Sequence, residues 1–182
     1  MLVIGEKINA SNKSVGQAIA NKDSEFLTNL AKNQAVAGAD FIDVNVGAIL
    51  GDRYHQEATM EWLVEVVQTA ADRPLAIDSD VPGVIEAALC KYRGDTVMIN
   101  SVNADPERLK VVGGLAVKHH ALLVALAMGE LGIPSTVEER LAACELIMTH
   151  LTRIGLQEEQ VLFDPLVLPI AVDSTQGLVT LR

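Results

Sequence analysis

Three polar side chains stand where predicted strands end, and their types define the chemistry open to this sequence. Asp78, Asn100 and Asp164 lie near the carboxyl ends of the aliphatic segments PLAIDS, TVMINS and VLFDPL. Because side chains alternate between the two faces of a strand, each of the three lies opposite its aliphatic neighbours. Two carboxylates and one amide offer hydrogen-bond acceptors and donors without a metal-binding His or Cys. The set predicts a site for a flat heterocycle that carries both donors and acceptors.

Further polar or flexible residues are candidates for the same site. Glu6 and Asn9 belong to the first strand region, Asn45 ends the second strand and Met128 follows the fifth. Each has a plainer alternative, because polar residues at strand ends often cap helices or form turns. Asp43 and Asn45 share a face and are alternatively a buried pair hydrogen-bonded to each other. Met128 is alternatively a plug at the top of the fold.

The elements that must position these residues alternate along the chain. Short aliphatic segments predict strands, and longer amphipathic stretches between them predict helices. This alternation indicates βαβ units and a parallel sheet. The predicted strands are 2–6, 41–46, 74–79, 96–101, 121–127 and 161–166, and the predicted helices are 24–37, 57–71, 82–91, 105–118 and 136–154. Gly113 and Gly114 predict a break in the fourth of these helices.

The placement of the polar residues favours a (β/α)8 barrel over a doubly wound sheet. No glycine-rich phosphate turn follows the first strand, as a dinucleotide fold requires. Barrel enzymes build their sites from the ends of several strands, which matches the observed spread. Six βα units are visible, whereas a barrel needs eight and about 250 residues. We therefore expect residues 1–182 to form one partial barrel domain that lacks strands seven and eight.

Composition excludes several functional classes. The formal net charge of −10 disfavours nucleic acid, because phosphate binding depends on clustered Lys and Arg. Cys90 and Cys144 lack the spacing of a zinc site or a disulfide framework. No signal peptide and no apolar run long enough for a membrane helix is visible. The sequence predicts a cytoplasmic protein without a metal ion of its own.

Seven short motifs, in order, carry a resemblance to a known family. They are GEKIN (5–9), DVNVG (43–47), EWLVEVVQ (61–68), IDS (77–79), MINSVNA (98–104), GIP (132–134) and FDPLVLP (163–169). Together they resemble the methyltetrahydrofolate:corrinoid protein methyltransferases, of the pterin-binding superfamily that also contains dihydropteroate synthase. Each motif alone is weak, but seven in register cover nearly the whole chain.

The resemblance implies a substrate, a partner and residue roles. Asp78, Asn100 and Asp164 match the residues that hold the pterin in that family, with Asn100 and Asp164 also assigned to catalysis. The implied reaction moves the methyl group of 5-methyltetrahydrofolate to cobalamin on a corrinoid partner protein, and a homodimer is implied for the full-length enzyme. The family's asparagine on the seventh strand, near pterin N5, has no counterpart in this chain. IDSD at 77–80 also departs from the expected IDST, after the matching aspartate.

Two alternatives stay open from the sequence. Dihydropteroate synthase shares the fold and the pterin-binding residues, but it is expected to carry a Pro-Asp-Ser-Phe type loop after strand one and a Gly-Gly run after strand two. Segments 8–16 (INASNKSVG) and 45–50 (NVGAIL) read differently, which favours the methyltransferase. A folate-binding module without catalysis is the second alternative.

Overall fold

The computed structural model describes residues 1–47, 53–130, 132–168, 171 and 176–181. Backbone contacts divide the chain into two compact units, Met1–Asn100 and Ser101–Arg182. The strands in the described residues are β1 (Ile4–Asn9), β2 (Phe41–Asn45), β3 (Leu75–Asp78), β4 (Val97–Val102), β5 (Leu122–Leu126) and β6 (Val161–Asp164). The helices are α1 (Lys13–Ala20), α2 (Ser24–Val36), α3 (Arg53–Ala70), α4 (Pro82–Lys91), α5 (Pro106–Lys118), α6 (Val137–Arg153) and α7 (Gln176–Thr180), with a 3-10 turn at Glu158–Gln160.

In the first unit, β1 to β4 pair in chain order and every pair is parallel. The middle of the sheet is covered on both faces, as parallel sheets require, so that successive residues Leu75, Ala76 and Ile77 of β3 are all fully buried. In this register Asn9, the last residue of β1, lies beside Asn45, the last residue of β2, and Asp78, the last residue of β3, lies beside Asn100, two residues before the end of β4. This register positions the polar side chains discussed below.

β1 differs from the predicted strand because it contains a bulge. The prediction ended it at Glu6, but the strand continues to Asn9, with its register shifted between Gly5 and Ile8. At the bulge the Lys7 N–H donates to Oε1 of Gln34 on α2, at 2.8 Å. A Cβ on Gly5 would lie 2.7 Å from the same oxygen, so glycine leaves room for this contact. The extra residue at the bulge breaks the alternation of GEKIN, so the sequence pattern did not indicate that the strand continues to Asn9.

In the second unit, β5 pairs with β6 in parallel, and α5 packs near the end of α6. The predicted helix break at Gly113 and Gly114 is wrong, because α5 runs without interruption from Pro106 to Lys118. Gly113 instead serves close packing: a Cβ there would lie 2.8 Å from Leu151 Cδ2 and 3.0 Å from Ile154 Cδ1.

The two glycines give a matched test of this packing. Gly114 is exposed and a Cβ there meets nothing within 4 Å, so Gly114→Ala is expected to raise the free energy of unfolding by about 0.5–1 kcal/mol through helix propensity. Gly113→Ala gains the same propensity but must displace the buried side chain of Leu151 and the half-buried side chain of Ile154. Urea unfolding should therefore rank Gly114→Ala above Gly113→Ala. Equal stabilisation by both would contradict the close packing.

Most predicted elements are confirmed to within a few residues. Pro82 begins α4 at the predicted residue, and α6 begins one residue after the predicted start, with the Thr136 hydroxyl accepting from Glu139 N–H. Helix α1 was missed, although Asn12 caps it and Val15, Ala18 and Ile19 form its buried stripe. That the whole chain is one partial barrel domain stays a prediction. Residues 48–50, which belong to the segment compared with dihydropteroate synthase above, lie outside the described residues. Pro169, the last residue of the FDPLVLP motif, does so too.

Candidate functional site

A row of polar side chains marks the carboxyl end of the sheet in the first unit. Asn9 on β1 is in register with Asn45 on β2, and Asp78 on β3 is in register with Asn100 on β4. All four are partly buried, so they are accessible from the strand ends. Parallel strands end at the same edge, so their pairing brings Asn45, Asp78 and Asn100 together; that Asp164 joins Asp78 and Asn100 in one site stays a prediction.

Asn45 and Asp78 form a short cross-strand hydrogen bond. The Asn45 amide donates from Nδ2 to Asp78 Oδ2 at 2.6 Å, while Asn45 Oδ1 accepts from Gly47 N–H at 2.6 Å. Asn45 thus has both ends of its amide engaged within the protein. Its geometry fits a residue that orients Asp78. A cavity lined in part by Asn45, Asp78 and Ser79 opens beside this pair.

Asn100 forms the second cross-strand bond, with Asp43. Its amide donates from Nδ2 to Asp43 Oδ2 at 3.1 Å. The alternative that Asp43 and Asn45 bond to each other is wrong, because each bonds to a side chain on another strand. Asn45 bonds its register neighbour Asp78 on the adjacent strand β3, whereas Asp43 on β2 bonds Asn100 on β4, two strands away.

Asp43 is the most perturbed acid of this cluster. Only 1% of it is exposed, and burial raises the pKa of its carboxyl to about 7, with further raising from the charges of Asp78 and Glu6. The Asn100 hydrogen bond lowers the pKa but does not offset the burial. Asp43 Oδ1 is buried and contacts no hydrogen-bond donor among the described residues. Sequence reasoning gave Asp43 no role in the ligand site; its place two residues before Asn45 was the available signal.

The two candidates on β1 differ from each other. Glu6 is exposed and lies at the bulge, where its charge acts on Asp43. Asn9 is partly buried and its Oδ1 accepts from Ser11 N–H at 2.9 Å. This bond is the turn-forming role that the alternative interpretation predicted, and it leaves the Asn9 amide group for other contacts. Ligand binding by either residue stays a prediction.

Asp164 and Met128 belong to the second unit. Asp164 ends β6 and is exposed; its Oδ1 accepts from Leu166 N–H at 2.8 Å in a tight turn. Leu166 has a φ of 61°, a left-handed conformation that is unusual for a non-glycine residue. Met128 follows β5, is partly buried, and its carbonyl accepts from Ala104 N–H at 2.8 Å.

Arg140 of α6 holds the turn that follows Asp164. The guanidinium is buried and donates to the Pro165 and Leu166 carbonyls at 2.7 Å each. It also donates to the Pro134 carbonyl at 3.1 Å and to Gln176 Oε1 at 2.6 Å. The described residues contain no group of three or more His, Cys, Asp or Glu arranged to hold a metal ion. No helix in the same described part is long and apolar enough to cross a membrane.

The strand order and the polar row at the strand ends define an α/β protein with a row of polar side chains at the carboxyl edge of a parallel sheet. The chain belongs to the pterin-binding enzyme family, whose model ("Pterin binding enzyme") matches residues 5–182. The resemblance drawn from the seven motifs is thereby confirmed at the level of the family.

Two curated relatives have similar sequences. The chain is 32% identical over 178 residues to "Methylcorrinoid:tetrahydrofolate methyltransferase" of Eubacterium limosum, covering 96% of this chain and 64% of the relative. It is 31% identical over 184 residues to "Methionine synthase" of Mycobacterium tuberculosis, covering 97% of this chain and 15% of the relative. The chain therefore spans less than two thirds of the length of either relative.

Solved structures of similar fold include dihydropteroate synthases. The enzyme from Xanthomonas albilineans, in complex with 7,8-dihydropteroate, has a TM-score of 0.63 at 20% identity, over 90% of this chain and 58% of that one. The enzyme from Vibrio fischeri gives a TM-score of 0.63 at 17% identity, over 90% and 60%. At these identities the likeness shows the fold alone, and it confirms the predicted α/β barrel class, here in part.

Proposed function

We propose that the protein transfers a methyl group between N5 of tetrahydrofolate and the cobalt of a corrinoid partner protein. The direction inferred from the sequence runs from 5-methyltetrahydrofolate to cob(I)alamin. The observation that carries the proposal is the 32% identity, over 96% of this chain, to a methylcorrinoid:tetrahydrofolate methyltransferase. That relative's name gives the methylcorrinoid as donor, so a test must follow both directions.

The side chains at the strand ends support a pterin as the bound group. Asp78 and Asp164 carry carboxylate acceptors, and Asn100 bonds to Asp43 through its amide group, which leaves its carbonyl oxygen as an acceptor. A pterin ring presents several N–H donors on one edge, so an acceptor-rich site complements it. In the proposal Asp164 accepts from the N2 amino group and N3–H, while Asp78 and Asn100 meet the remaining ring nitrogens.

The proposed reaction requires no nucleophilic side chain from the protein. In the forward direction the substrate cob(I)alamin would supply the electron pair for the new bond to the methyl carbon as the N5–CH3 bond breaks, and N5 would keep the electron pair of the broken bond and take a proton. A tertiary amine is a poor leaving group unless N5 is protonated or strongly hydrogen-bonded. The protein must therefore bind the pterin, help to protonate N5 and leave the methyl group accessible to the corrinoid protein. The proposed catalytic residues are Asn100 and Asp164. The residues proposed to surround the ligand are Asn45, Glu6, Asn9 and Met128.

Two other functions, dihydropteroate synthesis and folate binding without turnover, are tested alongside methyl transfer. A dihydropteroate synthase activity would form 7,8-dihydropteroate, but the structural likeness to those enzymes shows the fold alone. A folate-binding module would bind the folate without turnover. No observation on the described residues favours either over methyl transfer.

The direct assay mixes the natural full-length protein with cob(I)alamin and 5-methyltetrahydrofolate, and with methylcobalamin and tetrahydrofolate. We expect methyl transfer at least 10²-fold faster than in protein-free buffer, followed by the cobalamin absorption spectrum. Rates equal to buffer in both directions, despite folate binding, would support the non-catalytic module. A third mixture, of the protein with a dihydropterin pyrophosphate and p-aminobenzoate, tests the synthase: formation of 7,8-dihydropteroate there, without methyl transfer in the first two mixtures, would support it.

A further inference from the structure

Asp43 lies one layer below the polar row, with nothing in the proposed chemistry assigned to it. Its carboxyl is almost fully buried, its Oδ2 accepts from Asn100, and its Oδ1 has no donor among the described residues. Buried polar atoms are normally satisfied, so a carboxyl kept here without a full set of partners calls for an explanation.

The bond to Asp43 determines which end of the Asn100 amide faces the ligand. A carboxylate only accepts hydrogen bonds, so an ionised Asp43 requires the Nδ2 group of Asn100 to point toward it. The Asn100 carbonyl oxygen then points away from Asp43. Among the described residues no other group bonds the Asn100 side-chain amide, so Asp43 is its one described hydrogen-bond partner.

We propose that Asp43 is a positioning residue that fixes the Asn100 side chain with its carbonyl oxygen toward the ligand, so that the site selects a ring edge bearing an N–H donor. The inference rests on the proposed function for the identity of the ligand, 5-methyltetrahydrofolate. Asp43 acts through Asn100 and does not itself touch the reacting atoms.

Protonation of Asp43 removes this selectivity. A protonated carboxyl both donates and accepts, so it accommodates the Asn100 amide in either orientation. Two charged groups face Asp43 from neighbouring strands, Asp78 on β3 and Glu6 on β1, and both favour the protonated form. With a carboxyl pKa of about 7, the orientation is fixed above neutral pH and becomes mixed below it.

The affinity for 5-methyltetrahydrofolate is therefore expected to fall about fivefold or more between pH 8.5 and pH 5.5. The factor reflects the difference between a charge-assisted and a neutral hydrogen bond in holding the amide. Asp43→Asn mimics the protonated acid: it should bind about fivefold more weakly than wild type at pH 8.5 and as wild type does at pH 5.5. Calorimetric titration of the natural full-length protein measures both.

A double-mutant cycle with Asn100→Ala separates positioning from a general structural role. If Asp43 acts through Asn100, then Asp43→Asn changes affinity by less than twofold in the Asn100→Ala background. Leu27→Ala, which empties a fully buried site on α2, is the control for lost stability and should keep the wild-type pH profile. Because Asp43→Asn lacks the titrating carboxyl, any pH dependence of binding that this variant retains comes from another group or from the ligand itself.

Three outcomes decide the inference. A pH-dependent loss of affinity that both Asp43→Asn and Asn100→Ala abolish supports it. If Asp43→Asn does not fold, the pH profiles of wild type and Asn100→Ala still decide, because equal profiles overturn it. Wild-type binding with no pH dependence overturns the inference alone, whereas no binding of the folate at any pH overturns the proposed function as well.

Discussion

Asp164→Asn is expected to weaken the binding of 5-methyltetrahydrofolate by on the order of 10²-fold or more. The pterin presents its N2 amino group and N3–H side by side, and an ionised carboxylate accepts both. Asparagine offers one acceptor and turns an amide donor toward a ligand donor. Hydrogen bonds to charged groups contribute about 1.5–3 kcal/mol each, so losing one and gaining a donor–donor clash gives this magnitude.

The structure explains why this substitution should leave the fold intact. Asp164 Oδ1 accepts from Leu166 N–H, a bond that the oxygen of asparagine also makes. The matched control is Asp23→Asn, since Asp23 likewise accepts a backbone N–H, from Phe26, as the cap of α2. Titration calorimetry, with circular dichroism as the fold control, gives the result. Binding within about threefold of wild type would remove Asp164 as the pterin anchor.

The second large effect concerns stability. Arg140→Met is expected to lower the free energy of unfolding by about 3–5 kcal/mol, because the removal of one buried guanidinium leaves several acceptors without donors. Among the described residues, the acceptors that would lose their donor are the Pro134 and Pro165 carbonyls and Gln176 Oε1, whereas the Leu166 carbonyl also accepts from the Thr180 hydroxyl. Arg140→Lys keeps the charge without the planar fork and should cost less than Arg140→Met.

The control for Arg140 is an arginine of equal charge in an exposed ion pair. Arg93 bonds Glu65 at 2.7 and 2.8 Å, with 58% of its side chain exposed. Exposed pairs contribute little, so Arg93→Met should destabilise far less than Arg140→Met in urea unfolding. Comparable losses for the two variants would mean that the Arg140 contacts do not support the turn after Asp164.

Asp43 also makes stability depend on pH. Its folded pKa, about 7, lies above the unfolded value of 3.8, so the folded state binds the extra proton between these values. Its contribution is fully present below pH 4 and is lost as the pH rises through 7, by on the order of 4 kcal/mol at most. Asp43→Asn should flatten this fall. An unchanged pH profile of urea unfolding would contradict the raised pKa.

The sequence predicted the strand ends well because parallel pairing leaves little freedom. Once aliphatic segments alternate with helices, their carboxyl ends share one edge, and Asn45, Asp78 and Asn100 must come together there. The bulge at Glu6–Lys7 was not predictable from periodicity, because it depends on Gln34, which lies 27 positions from Lys7. The uninterrupted α5 likewise depends on tertiary packing of Gly113 against Leu151.

The partners of the polar side chains were less predictable than their positions. Alternation places Asp43 and Asn45 on one face, but it does not say which strand supplies each partner. Register decides this: Asn45 reaches Asp78, while Asp43 reaches Asn100 past the small side chain of Ala76. The raised pKa of Asp43 depends on that burial and on the nearby charges of two other strands, so composition alone carries no sign of it.

The central claim is that one pterin is held by side chains from several strand ends. A crystal structure of the natural full-length protein with 5-methyltetrahydrofolate tests it most directly. We expect the pterin N2 amino group and N3–H on the Asp164 carboxylate, a ring N–H on the Asn100 carbonyl oxygen, and Asp78 within hydrogen-bond distance of the ring. A bound pterin that contacts none of these three side chains would contradict it.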